Sequence, residues 1–254
     1  MGRRLNLPGT AVFVLGLGLW ELLVRTGLLT FRYLPPPSDV AVGLGELLGN
    51  GELATALGHT LLAAVTGWAL AGLVGVPAGS TLGLVRPVWT YSMASLEALR
   101  ALPIVAFVPV AVLMFGFSMQ TEITVAFYAA LWPILLNTAA GMRTEDRLVE
   151  TGRVLRLSRT AVLWKIRLPA ATATIVVGLR LGMSISLVLT LVAEMVGNPA
   201  GLGFLLVEKG QALQPGQMFA GVFVIGVTGI ALNATVMTLA KLIFRGQLTA
   251  AGET

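Results

Sequence analysis

Cysteine is absent, histidine occurs once, and charged residues make up only 11% of the 254 positions. Without cysteine there is no disulfide framework, no thiolate metal site and no thiol nucleophile. With His59 as the sole histidine, a two-histidine zinc motif of the His-Glu-x-x-His kind cannot be assembled, and no metal site is expected. The three lysines, Lys165, Lys209 and Lys241, follow Trp164, Glu208 and Ala240, never glycine, so a Walker A phosphate loop is missing too. No nucleophile-base constellation is visible either, and the chain is not expected to be an enzyme.

What the chain has in quantity is apolar surface. Hydrophobic residues make up 56% and mean hydropathy is +0.86, outside the range of ordinary soluble domains. The net charge of +5 does not point to nucleic acid, because the basic residues cluster beside hydrophobic runs with no aromatic-basic platform. A lipid surface explains them better.

The runs predict an all-α integral membrane protein, one domain over 1–254, with about six spans at roughly 7–29, 60–85, 101–121, 123–142, 170–196 and 216–241. The first run, after Arg3 and Arg4, resembles a signal peptide only superficially. It continues past Glu21 through Leu22, Leu23 and Val24 without a small-x-small cleavage site. Glu21 and Arg25, four apart, can pair near its outer end. Tyr33 to Ser38, with three consecutive prolines, should run extended, and Val40 to Leu57 reads as a short interfacial helix. His59, at the edge of the second span, reads as solvated or interfacial rather than as a ligand. Gly67, Ala71, Gly75, Gly79 and Gly83 fall every fourth residue of that span and form a face for close helix packing, within the subunit or across a dimer. Pro103 and Pro109 predict a kinked or interrupted third span.

Between the fourth and fifth spans lies a charged island, 143–169. It holds Arg143, Arg147, Arg153, Arg156, Arg159, Lys165 and Arg167, with Glu145, Asp146 and Glu150. Leu148, Leu155, Val162 and Ile166 recur on one side of a helix, so the segment reads as amphipathic and helical. Two readings fit it: a basic loop held by anionic lipid, or a docking surface. With the N-terminus cytoplasmic, Arg3, Arg4, Arg86, the island, Lys241 and Arg245 lie inside, while Arg25, Arg32 and Lys209 lie outside. The positive-inside rule therefore puts both termini in the cytoplasm. Polar groups within spans should face a bundle interior or a path, which makes Arg100, Asn137, Arg180, Ser184 and Glu194 candidates for lining or gating one.

The island carries a family pattern. Glu150-Thr151-Gly152, Arg156, Ile166 and Leu168-Pro169 resemble, without a gap, the cytoplasmic signature of the membrane subunits of ATP-binding-cassette importers. Thr-Gly stands in place of Ala-Ala, and Arg156 in place of the glycine at a turn between two short helices. Leu99-Arg100-Ala101-Leu102-Pro103, Pro109, Phe115-Gly116 and Gly201-Leu202-Gly203 extend the likeness to nearly the whole chain.

The branch it resembles serves nitrate, sulfonate, taurine and related small solutes. That resemblance implies a multi-pass subunit of a prokaryotic inner membrane, paired with a second copy of itself. It implies two cassette ATPases that bind ATP and Mg below it, an external solute-binding protein above it, and no cofactor in this chain. It also implies coupling to the ATPases through Glu150, Thr151, Gly152, Val154, Leu155, Arg156, Leu157, Ser158 and Arg159, with Glu150 as a polar anchor and Leu155 and Leu157 as apolar contacts. Arg100 and Arg180 would suit an anion. The competing reading is a transporter driven by an ion gradient, for which Glu194, Glu97 and Glu21 are the carboxylates near membrane segments.

Overall fold

The computed structural model describes residues 7–28, 33–143, 150 and 154–244, and among them every element is helical. In chain order these are α1 (Leu7–Arg25), α2 (Pro37–Gly49), α3 (Glu52–Leu84), α4 (Arg86–Arg100), α5 (Ile104–Phe115), α6 (Met119–Met142), α7 (Arg159–Met195), α8 (Gly201–Gln211) and α9 (Pro215–Ile243).

Helices α3, α6, α7 and α9 are long and apolar enough to cross a membrane. The centre of the bundle is the trio α3, α6 and α7. The small-residue face of α3 is turned on α6 of the same chain. A Cβ on Gly67 would meet the Ile123 carbonyl at 2.9 Å, one on Gly79 the Thr138 Cβ at 2.8 Å, and one on Gly83 the Ala139 carbonyl at 2.6 Å. Partners that climb in step along both helices make α3 and α6 parallel. Lipid offers no hydrophobic drive between helices, so this close approach supplies the attraction through dispersion. Helix α7 runs antiparallel to both, with Gly178 against Asn137 and Gly182 against Ile134, each within 2.8 Å of a notional Cβ. Of the two uses expected for the glycine face, packing within the subunit is the one observed.

The third span is interrupted, as the prolines predict, but its bounds differ from those expected. In place of a helix over 101–121, α5 has 12 residues, about 18 Å, too short for a hydrocarbon core of about 30 Å. It meets α4 at an angle of 81°. Pro103, which cannot extend a helix from Leu102, sets the bend, and Gly116 at φ 69° ends α5. The second span begins earlier than expected, at Glu52, because Asn50 accepts the Glu52 amide through its side chain at 3.0 Å while Gly51 adopts φ 78°.

At the start of the chain, Glu21 pairs with Arg25 as expected and also accepts the Ser38 hydroxyl at 2.8 Å and the Ser38 amide at 3.1 Å. This fastens α1 to the first turn of α2.

Candidate functional site

The connection between α6 and α7 leaves the bundle at one end. Arg143, the residue after α6, stacks its guanidinium 4.3 Å above the Trp89 ring of α4. Glu150, Val154, Leu155, Arg156, Ser158 and Arg159 are exposed and Leu157 is half-buried, with Val154 at 78% and Leu155 at 64% exposure. Thr151, Gly152 and Arg153 lie outside the described residues, as do Glu145, Asp146, Arg147 and Leu148, and Arg3, Arg4, Arg32 and Arg245.

The expected continuous amphipathic helix is interrupted here. Leu155 and Arg156 form a turn in which Arg156 takes φ 52°, the left-handed region that glycine enters without penalty. Ser158 then caps a new helix, its hydroxyl accepting the Ala161 amide at 3.2 Å. Val162 and Ile166 therefore belong to α7 and not to a helix shared with Leu155. A π-helical turn at Leu163–Arg167 precedes Pro169, whose ring lacks the amide that would bond to Lys165.

The five membrane-embedded candidates divide among three places. Arg100 and Asn137 come together in a cleft of about 360 Å³ beside the α4–α5 bend, walled by Trp132 and Ile104. Asn137 donates to the Pro133 carbonyl of its own helix at 2.8 Å. Tyr128, which stacks on Phe107 with ring centroids 4.9 Å apart, donates its hydroxyl to the Leu99 carbonyl at 3.1 Å and holds the bend in place. Arg180 is exposed and donates to Asn233 Oδ1 of α9 at 2.7 Å, while Ser184, also exposed, lies one turn further on. Glu194 stands apart from all of these and is fully buried.

At the end of the bundle opposite the α6–α7 connection, Glu194 accepts the Thr60 hydroxyl at 2.7 Å and the Gly203 amide at 2.8 Å. Thr60 in turn accepts the Leu202 amide at 2.8 Å. Nearby, His59 Nε2 is hydrogen-bonded to Glu122 Oε2 at 2.8 Å, and Asn198 donates to the other oxygen of Glu122. His59, expected to be solvated or interfacial, is half-buried and is the partner of a carboxylate that is 1% exposed. Glu122 escapes sequence reading because it falls in the gap between spans drawn as 101–121 and 123–142. The usable signal is its position: an acid in the first turn of a helix, where the exposed amides and helix dipole favour negative charge.

Residues 71–248 match the family described as "Binding-protein-dependent transport system inner membrane component". The chain is 30% identical over 226 residues to the aliphatic sulfonates transport permease protein SsuC of Bacillus subtilis, covering 89% of this chain and 82% of that protein. It is 32% identical over 208 residues to the bicarbonate transport system permease protein CmpB of Synechococcus elongatus, covering 80% and 75%. Its fold is similar to a chain of the MetNI methionine ABC transporter in an inward-facing conformation, with a TM-score of 0.62, 18% identity, and coverage of 76% of this chain and 95% of that one.

Proposed function

This chain belongs to the family of binding-protein-dependent transport system inner membrane components, and we propose that in an ATP-driven importer it forms the path for a small anionic solute. It is a multi-pass membrane permease subunit, and the hydrolysis of ATP, with its Mg, belongs to a cassette ATPase dimer that docks on it. An external binding protein delivers the solute, and a second copy of the chain completes the path. Both termini face the cytoplasm.

The docking element runs from Glu150 to Arg159. The observation that carries this reading is the turn at Arg156. The segment lies at one end of the bundle, presents Val154 and Leu155 outward, and adopts a left-handed conformation at the position where the family pattern has glycine. Two large exposed aliphatic side chains flanked by Glu150 and Arg159 make an apolar knob with a polar rim, the anatomy of a protein contact. Because α6 and α7 both enter the central packing, a force applied to this turn is passed to the core of the bundle. ATP can bias the permease only through contacts that differ between its states, and a docked turn supplies such contacts.

Solute passage is assigned to the cleft at the α4–α5 bend. Arg100 there offers a guanidinium matched to planar or tetrahedral oxyanions, beside a break in the helix. Arg180, bonded to Asn233 of α9, and Ser184 one turn on would line the path further along α7, and Glu194 would act as a gating group whose oxygens are held by Thr60 and Gly203.

The test is co-purification with the cognate cassette ATPase. Leu155→Asp places a charge at the centre of the apolar contact and is expected to cut recovery of the complex at least about tenfold, as loss of a central interface residue does. Glu150→Ala is expected to weaken recovery less. Undiminished recovery with Leu155→Asp would remove this segment from the interface.

A further inference from the structure

We propose that His59, Glu122 and Glu194 form a binding site for a divalent first-row transition cation of the zinc class. The three residues come from three helices, α3, α6 and α7, and their ligand atoms all lie within 4.8 Å of one another. The lone histidine that excludes a two-histidine motif is here joined by two carboxylates distant in sequence. One imidazole nitrogen with two carboxylates is a donor set that suits zinc and its neighbours, and it leaves a fourth position for water.

Charge is the first reason. Glu122 and Glu194 are 1% and 0% exposed, and a divalent cation bound between two carboxylates this close would stabilise both as anions. Glu194 has only neutral donors, the Thr60 hydroxyl and the Gly203 amide. The basic residue of the neighbouring helix, Lys209, is taken elsewhere, its ammonium 2.8 Å from Glu52.

Support around the ligands is the second reason. Asn198 orients Glu122, while Thr60, itself fixed by the Leu202 amide, and Gly203 orient Glu194. Such outer bonds hold carboxylate ligands at metal centres. A tetrahedral ion with bonds of about 2.1 Å sets its donors about 3.4 Å apart, so on binding His59 and Glu122, now 2.8 Å apart, would separate slightly to admit the ion. The third reason is access. His59 lines an open cavity of about 460 Å³, so its imidazole can be reached from outside the bundle; the wall also carries Glu52 and Glu208, which share the Lys209 ammonium at 2.8 and 3.8 Å. An occupied site would clamp α3, α6 and α7 together at the end of the bundle opposite the Arg156 turn.

The experiment uses the full chain, purified in detergent, treated with chelator and dialysed, then titrated with ZnCl2 and separately with CoCl2. Binding is followed by metal content, by the visible absorption of tetrahedral Co2+ and by the melting temperature. The expected result is one ion per chain, a raised melting temperature and a tetrahedral Co2+ spectrum. His59→Gln keeps an amide donor for Glu122 and so preserves the hydrogen-bonded network while deleting the ligand. It and Glu194→Gln are each expected to weaken binding by at least about tenfold. Absence of saturable binding in the wild type, or equal binding in His59→Gln and Glu194→Gln, would overturn the site.

Discussion

Arg156 occupies a backbone conformation that disfavours every residue with a Cβ, at a cost of about 1 kcal/mol relative to glycine. Replacing it with glycine is therefore expected to preserve ATP-dependent uptake and to raise the melting temperature slightly. Arg156→Ile, whose branched Cβ fits this region worst, is expected to lower both. Uptake by reconstituted importer, measured alongside thermal melts of the same three proteins, checks this, and a gain with isoleucine would contradict it. The turn was legible in the sequence because the pattern around Glu150, Leu168 and Pro169 fixes where the turn residue stands. Glu122 was not legible, since a one-dimensional hydropathy profile treats an acid at a span boundary as solvent. Its burial depends on His59 and Asn198, which are 63 and 76 residues away in the chain. Glu194 was singled out as a group that must face inward, and it is buried, but its partners, Thr60 in α3 and Gly203 in the first turn of α8, are distant or irregular in sequence and could not be read from it.

Among the elements, the α3–α6 pair depends most on small side chains. Gly79 faces the Leu135 carbonyl and the Thr138 Cβ so closely that any side chain must push the helices apart. Gly79→Val is expected to destabilise the protein by about 1–3 kcal/mol through overpacking, read as a lower melting temperature and a lower yield of folded protein. Gly45, which has open space around it, is the control, and Gly45→Ala is expected to change neither. Equal losses at the two positions would contradict the packing assigned to the α3 face. The four-residue spacing of Gly67, Ala71, Gly75, Gly79 and Gly83 made this face readable, because helical periodicity is local. Its partner was not readable from the same spacing. The α4–α5 bend was half readable: the prolines announced an interruption, but an apolar profile running on through Phe115 concealed that α5 stops short of a full span.

For the whole molecule, long apolar faces remain uncovered by the single chain. Leu73 on α3, Leu113 on α5 and Ile230 on α9 are 72%, 87% and 73% exposed. In water such surface would aggregate, whereas a bilayer accepts it, and it is also where a second copy of the proposed importer would pack. The turn at one end of the bundle and the polar cluster at the other are linked through the same three helices, which is the layout a permease needs if an event at one end is to be felt at the other. The proposed function makes ATP, and not an ion gradient, the driver of transport. The decisive measurement is uptake of a labelled alkanesulfonate or bicarbonate by liposomes holding the chain with its cassette ATPase and binding protein. Uptake is predicted to require both ATP and binding protein and to persist when ionophores collapse proton and sodium gradients. Uptake that proceeds without ATP and disappears with the ionophores would contradict it.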